Sequence, residues 1–491
     1  MANRPLTPSI LLALSLSACA VGPDYHPRPA SELGVPDGWS VSAGQKARED
    51  LSQWWTRFDD PMLASLVQRA QAANLDVAQA VARLRQARES LVQQRANLVP
   101  SLSVSGGVSR SEPLRGGSST TTLPDGTVTS FSQGGATSFS LGADANYQVD
   151  LFGGVRRGVE GARASYAASG YDLATVLISA EAETARNYVL ARVVQAQIAN
   201  ARDSLGIADE NLQIAGWRLQ AGLVSSLDQE QARASRAQLA ASIPTLEASY
   251  NGYVARLGVL TGQAPGALKA EMEAVKPIPA GPASVAAGIP ADTLRQRPDV
   301  RAAERNLAAA TANIGVAAAQ LYPQLSIGGS IDAGSTALAS IFDVITGRLF
   351  ANIAQTLFDG GRRASQVRSA EAAADGAFLA YKSTVLTSLE DVENAIVALQ
   401  TAQRRQQEFA VALEASSNQA LLARMQYRSG LTDFTTLNQA ESALISARNG
   451  VVSARSDAAT ALIQLYQALG GGWDPSVTPT VPTTGGTANG N

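Results

Sequence analysis

The chain has 491 residues, a formal charge of −3, 16% charged and 5% aromatic residues, one Cys and one His. A disulfide framework and a Cys/His metal cluster are excluded, and the charge balance offers no basic face for nucleic acid. A Ser-His-Asp or Cys-His arrangement would have to use His26, which lies in the Pro-rich stretch Pro23–Pro29 without a rigid scaffold to orient it, so no enzyme and no cofactor is expected.

Residues 1–18 read as a lipoprotein signal peptide. Arg4 supplies the positive start, Ile10 to Leu16 a short apolar core, and Ser17 and Ala18 the small residues before Cys19. Leu16-Ser17-Ala18-Cys19 has the form of a lipoprotein box, in which Cys19 becomes the acylated first residue. Ala20 and Val21 come next, without the Asp that holds lipoproteins at the inner membrane. No other apolar stretch reaches the roughly 18 residues of a membrane helix. Residues 19–60 read as an extended N-terminal segment.

From residue 61 onward the chain carries one plan in two copies. Asp76-Val77 through Pro100-Ser101-Leu102-Ser103 matches Asp299-Val300 through Pro323-Gln324-Leu325-Ser326. Leu151-Phe152-Gly153-Gly154 matches Leu357-Phe358-Asp359-Gly360-Gly361, and Gly222-Leu223 matches Gly430-Leu431. The boundaries expected are 61–263 for the first repeat, 264–291 for a linker, 292–471 for the second repeat and 472–491 for a flexible tail. Each repeat runs helix, strand, loop, strand, very long helix, tight turn, helix. The first helices cover 61–98 and 294–321, ended by Pro100 and Pro323. In the first repeat the Gly/Ser/Thr-rich run 111–135 reads as a loop.

Phe139, Leu141, Ala143, Ala145, Tyr147, Val149 and Leu151 alternate with polar or small residues, a period of two that suits a membrane strand with one face in lipid and one in a wet lumen. A soluble hairpin with one covered face would show the same pattern. Leu102 to Val108 and Leu325 to Ile331 alternate over shorter stretches, and Leu349 to Phe358 is more mixed. Four membrane strands cannot close a barrel, and open edges are not tolerated in lipid. Several chains must therefore share one barrel, two giving eight strands or three giving twelve. After each glycine pair, 154–221 and 361–428 contain no proline, and each would make a helix about 100 Å long at about 1.5 Å per residue. Leu205, Ala208, Leu212, Ala215 and Leu219, like Val385, Leu389, Val392, Ile396 and Leu399, keep heptad spacing. A soluble helical bundle would also fit these seams.

These residues, in this order, resemble the TolC-type outer-membrane factors, specifically the NodT-like lipoprotein branch of the efflux transporters. The resemblance covers nearly all of 19–473. It is carried by Cys19-Ala20-Val21-Gly22-Pro23-Asp24-Tyr25, Trp55, Phe58-Asp59-Asp60-Pro61-Met62-Leu63, Asn74-Leu75-Asp76-Val77, Arg297-Pro298-Asp299-Val300, Asn313-Ile314-Gly315-Val316, Leu321-Tyr322-Pro323, Leu357-Phe358-Asp359-Gly360-Gly361 and Tyr427-Arg428-Ser429-Gly430. It implies a homotrimer with a twelve-stranded outer-membrane β-barrel, four strands per chain, continuous with a periplasmic α-helical coiled-coil barrel. It also implies a passive exit duct for drugs or other small molecules, working with a periplasmic membrane-fusion adaptor and an inner-membrane pump of the resistance-nodulation-division class. Outer-membrane lipid would hold the acylated Cys19. Gly153, Gly154, Gly360 and Gly361 would be the hinges at the strand–helix junctions, and 264–291 with the tail would form a belt.

The turns after the long helices are expected at the periplasmic tip. Gly222 and Gly430 suit a left-handed helix end, Ser226 with Gln229 a capping box, and Asp433 a cap in the second repeat. The resemblance adds a gate, in which Asp228 and Tyr427 would hydrogen-bond across helices. The sequence departs from the family pattern at Thr432, Thr436 and Gln439, where basic and acidic residues are expected, so a tight anionic ring at the tip is in doubt. The alternative within the same fold is the exit channel of a type I protein secretion system; a lipid-anchored coiled coil without a pore is the alternative outside it.

Overall fold

A computed structural model of the chain describes residues 20–41, 50–115, 118–132, 135–285, 288–476 and 480, so Cys19 lies outside the described residues. The chain divides into two compact units, the smaller comprising Met1–His26, Ala87–Tyr166 and Asn306–Ala377, and the larger Pro27–Gln86, Ala167–Arg305 and Phe378–Asn491.

The smaller unit is built on an antiparallel sheet of β1 (Ser101–Ser111), β4 (Ala136–Val149), β5 (Gln324–Ser335) and β6 (Ile345–Ala354), in the order β1-β4-β5-β6. Register keeps the alternation aligned: Val104 lies opposite Ala143, Ala143 opposite Ile331, and Tyr147 opposite Ile327. One face therefore carries Leu102, Val104, Val108, Phe139, Leu141, Tyr147, Leu325, Ile331, Leu349 and Ile353, and the other Ser, Gly, Asn, Gln and a few charges. At its edge strands the apolar face is left open among the described residues: Leu102 is 75% exposed, Leu349 86% and Ile353 71%.

Three strand expectations change. The last strand covers 345–354, so Leu357 and Phe358 lie beyond it, exposed. β4 stops at Val149 because Asp150 turns to cap the following helix. The run 111–135 is not a plain loop. It holds a second hairpin, β2 (Ser118–Thr122) with β3 (Val128–Ser132). The Thr residues and Val128 favour extended backbone, and Pro124-Asp125-Gly126 closes the turn, with Gly126 N donating to Leu123 O and Leu123 N to Thr127 O, both at 2.9 Å.

The long helices are α3 (Gly154–Gln220) and α8 (Arg362–Arg428), 67 residues each, returned by α4 (Ser226–Leu260) and α9 (Phe434–Ala468), 35 each. Each long helix gives its first turns to the smaller unit and the rest to the larger. The heptad positions point inward: Ala208, Ala215, Val385, Val392, Ile396 and Leu399 are buried, and Leu205, Leu212, Leu219 and Leu389 half-buried.

The first helix of each repeat is not continuous. α1 (Pro61–Ala73) gives way to α2 (Leu75–Ala96) at Asn74, and α6 (Pro290–Gln296) to α7 (Pro298–Ala319) at Arg297, the matching position of the second repeat. Asn74 Oδ1 accepts from Asp76 N and Val77 N at 2.8 and 3.2 Å, capping α2, while its Nδ2 donates to Leu260 O. At Arg297 the following Pro298 disfavours helical backbone, and the residue sits at φ −68°, ψ 123°. Two different residues break the helix at the same place.

The core of the larger unit gathers Trp54, Trp55 and Phe58 of the N-terminal segment with Leu63, Leu66 and Val67 of α1, Tyr188 and Val189 of α3, Leu257 of α4, Val392 of α8 and Tyr466 of α9. Trp54 stacks on Tyr466 with ring centroids 5.3 Å apart. Asp60 caps α1 through Oδ1 and receives the Tyr188 hydroxyl on Oδ2 at 2.7 Å. The linker holds a short helix, α5 (Lys269–Met272), and is fastened at several acceptors, among them Glu271, the Ala274 carbonyl and, above all, the Met272 carbonyl. The Met272 carbonyl takes hydrogen bonds from Gln195 Nε2 and Tyr250 Oη at 2.7 Å and from the fully buried Arg192 at 3.3 Å.

Candidate functional site: helix turns and strand–helix junctions

Both turns at the ends of the long helices have the same geometry. Gly222 at φ +71° and Gly430 at φ +74° occupy the left-handed position after the helix end. Leu223 N donates to Arg218 O at 2.8 Å and Gly222 N to Leu219 O at 2.9 Å; Leu431 N donates to Gln426 O at 2.9 Å and Gly430 N to Tyr427 O at 3.1 Å. This six-to-one and five-to-two pairing satisfies the last carbonyls, and only five residues separate the two helices at each turn. Asp433 Oδ1 accepts from Thr436 N at 2.8 Å, capping α9, and that bond holds its carboxyl below the ordinary range. The box expected at Ser226 and Gln229 is not formed. The helix already begins at Ser226, and the cap position falls to Ser225, whose side chain makes no capping bond.

The expected bond between Asp228 and Tyr427 is also absent within the chain. The Tyr427 hydroxyl is buried and has no hydrogen-bond partner among the described residues. The ring is covered instead by Arg218, whose guanidinium lies 4.7 Å from the centroid and donates from Nη1 to the Tyr427 carbonyl at 2.8 Å. Phe434 meets the ring edge-on at 5.9 Å. Burial pushes the Tyr427 phenol above its usual range, with the charge of Asp228 adding and that of Arg218 opposing. Arg424 forms a two-pronged pair with Glu441, of which Nη2 to Oε2 is 2.8 Å. Arg218 and Arg424 carry no sequence signal that separates them from the other arginines of these helices; only the packing singles them out.

At the strand–helix junctions an aspartate caps each long helix. Asp150 accepts from Val155 N and Arg156 N at 3.1 and 2.9 Å, and Asp359 from Gly361 N and Arg363 N at 3.0 and 3.1 Å. Gly153, Gly360 and Gly361 have positive φ, at +77°, +66° and +87°, while Gly154 begins α3 with ordinary backbone.

The first junction also receives the residues just after Cys19. Val21 N donates to Phe152 O at 3.1 Å. Arg157, itself buried, donates to Gly22 O at 3.3 Å and pairs with Asp24 at 2.7 Å and Glu160 at 2.8 Å. Gly22 crosses α7 against Gly315; a Cβ on Gly315 would lie 2.8 Å from Val21 O and from Arg157 Cγ. This explains the glycine of Asn313-Ile314-Gly315-Val316. Gly315→Ala is expected to unseat residues 20–24 at a cost of about 1–3 kcal/mol, seen as faster proteolytic cleavage near residue 26, whereas Val316→Ala leaves the cleavage rate nearly unchanged.

The arrangement is that of a channel subunit: strands with an uncovered apolar face, joined through capped glycine junctions to paired long helices. The chain belongs to the outer membrane efflux protein family, whose model matches residues 66–263 and 289–471. It is 31% identical to nodulation protein T of Rhizobium leguminosarum bv. trifolii, over 96% of this chain and 98% of the relative. It is 32% identical to the pyoverdine export outer membrane protein OpmQ of Pseudomonas aeruginosa, over 96% and 97%. Among solved structures it matches the outer-membrane channel OprN with a TM-score of 0.81 and 31% identity, covering 93% of this chain and 100% of that one. The family is one of channels and not of enzymes, and its members are outer-membrane channel components of efflux pumps.

Proposed function

We propose that three copies of this chain close one twelve-stranded barrel in the outer membrane and conduct small molecules outward as the passive duct of a tripartite efflux pump. The observation that carries this reading is the sheet. Its edge strands β1 and β6 are exposed at every residue, and one face is mostly apolar, with Leu102, Val104, Leu349 and Ile353 at the edges largely uncovered among the described residues. Lipid suits the face, and only pairing with further copies satisfies the edges. An acylated Cys19 would anchor the chain beside the junction where residues 20–24 are seated. A periplasmic adaptor and an inner-membrane pump of the resistance-nodulation-division class are the partners, and the pump supplies the energy. The repeats 61–263 and 292–471 would each contribute two strands and a helix pair, with the turns at Gly222 and Gly430, beside Asp228, Tyr427 and Asp433, forming the gate. The test is planar-bilayer conductance of detergent-purified protein, with oligomer mass measured alongside. Discrete steps from a trimer are expected. A water-soluble monomer without steps would overturn the reading, and growth rescue of a protein-secretion mutant but not of an efflux mutant would move it to type I secretion.

A further inference from the structure

The polar face of the sheet concentrates its charge at one level. Register aligns Ser103, Asp144, Ser330 and Arg348 in one row across β1, β4, β5 and β6, and Ser105, Gly142, Asp332 and Thr346 in the next. No other charged residue of the four strands lies on this face. Arg110 belongs to the apolar register near the end of β1 and pairs with Glu112. Above and below the two rows the polar face is Ser, Gly, Ala, Asn and Gln, with Phe350 over Gly328.

The charges are fixed in place to different degrees. Ser330 Oγ donates to Asp332 Oδ2 at 2.8 Å, and Asp332 Oδ1 lies over Gly142, where a Cβ would come within 2.9 Å. A side chain at 142 would displace that carboxylate. Asp144 and Arg348 are exposed and have no ion-pair partner among the described residues. Charges left unneutralised on a pore wall act on what passes. The band is not a relic of the duplication: the residue matching Asp332 in the first repeat is Ser109.

We propose that Asp144, Asp332 and Arg348 form a charge filter in the barrel lumen that favours small cations, including protonated amines, over anions. The filter rests on the three-copy barrel proposed above. In that barrel the two rows together would carry six carboxylates and three guanidiniums, a net negative belt. The Debye length is about 10 Å at 0.1 M salt and about 3 Å at 1 M. The field of the belt therefore extends about 10 Å into the lumen at low salt and collapses to the wall at high salt. Arg348 tempers the belt, so its removal sharpens selectivity while removal of the two carboxylates inverts it.

The experiment is the reversal potential of single channels in a KCl gradient, with all tip residues retained in every variant. At about 0.1 M, Arg348→Ala is expected to raise the potassium-to-chloride permeability ratio about twofold or more, and Asp144→Asn with Asp332→Asn to bring it below unity. Both changes should vanish near 1 M KCl. Asp144→Cys supplies a second readout, since the only natural Cys is Cys19; a cationic thiosulfonate should label it faster than an anionic one. Channels of normal conductance whose reversal potential stays put in both variants would overturn the filter alone. A monomer without channels would remove the barrel and the filter with it.

Discussion

Replacing Glu181 by Gln is expected to stabilise the larger unit by several kcal/mol at pH 9 and to change it little at pH 4. Glu181 is fully buried on α3, between Gln71 of α1, Trp54, and the backbone at Gly472, which has no room for a side chain beside the carboxyl. Burial pushes the Glu181 carboxyl up from 4.5 to about 8, against the opposing pull of the Gln71 amide at 2.7 Å and the Trp54 indole. The folded chain thus holds a proton that the unfolded chain releases near its ordinary value. Below pH 4.5 both states are protonated and ionisation of the acid makes no contribution. Between 4.5 and 8 only the unfolded state ionises, and stability falls by about 1.4 kcal/mol per pH unit. Above 8 the loss levels off, at up to about 5 kcal/mol for this single group. Gln has the same shape and no charge in either state, so the slope should disappear in the variant. Thermal unfolding in detergent from pH 4 to 9 reads this directly. Equal melting differences between the two proteins at both ends of that range would show that Glu181 is ionised in the folded state.

The long helices were legible because their signal is additive. Sixty-eight proline-free positions expected at 154–221 and 361–428 became Gly154–Gln220 and Arg362–Arg428. The alternating strand was legible for the same reason, since period two over a dozen residues has no helical counterpart. What escaped was set by single residues. Asn74 breaks a helix by capping the next one, and nothing in its Ala-rich surroundings announces that. The hairpin β2–β3 hides in a Gly/Ser/Thr run whose Pro124-Asp125-Gly126 turn was the readable clue. Leu349 to Phe358 misplaced the last strand because its apolar residues are shared between strand and junction. At the turns, glycine spacing located Gly222 and Gly430 because positive φ demands that residue. The side-chain bond across them did not follow from spacing. A pair inferred from position alone ignores which third residue reaches the ring first, and here Arg218 does.

That substitution of partners yields an expectation opposite to the one from sequence. Tyr427→Phe should leave single-channel conductance unchanged and be neutral or slightly stabilising, because the hydroxyl it removes is buried and makes no hydrogen bond among the described residues. Arg218→Ala should instead open the turn. Its guanidinium joins the last turn of α3 to the Tyr427 carbonyl at 2.8 Å and lies on the Tyr427 ring. That carbonyl also accepts from Gly430 N, so the cation sits at the negative end of α8, where helix dipoles favour it. A charge-assisted bond to a carbonyl contributes about 1.5–3 kcal/mol and a half-buried cation–π contact about 1 kcal/mol more. The matching residue of the second repeat is Gln426, so no reciprocal bond replaces the loss. In the three-copy channel proposed above, with these turns as its gate, a difference of this size summed over the copies would move the closed–open equilibrium by several powers of ten. Arg218→Ala should therefore give frequent full openings without an adaptor present, and Arg218→Lys an intermediate frequency, since an ammonium keeps the charge but not the planar stack. If Tyr427→Phe opens the channel and Arg218→Ala does not, the phenol bonds to a neighbouring copy, and the latch runs between subunits instead of between the two repeats of one chain.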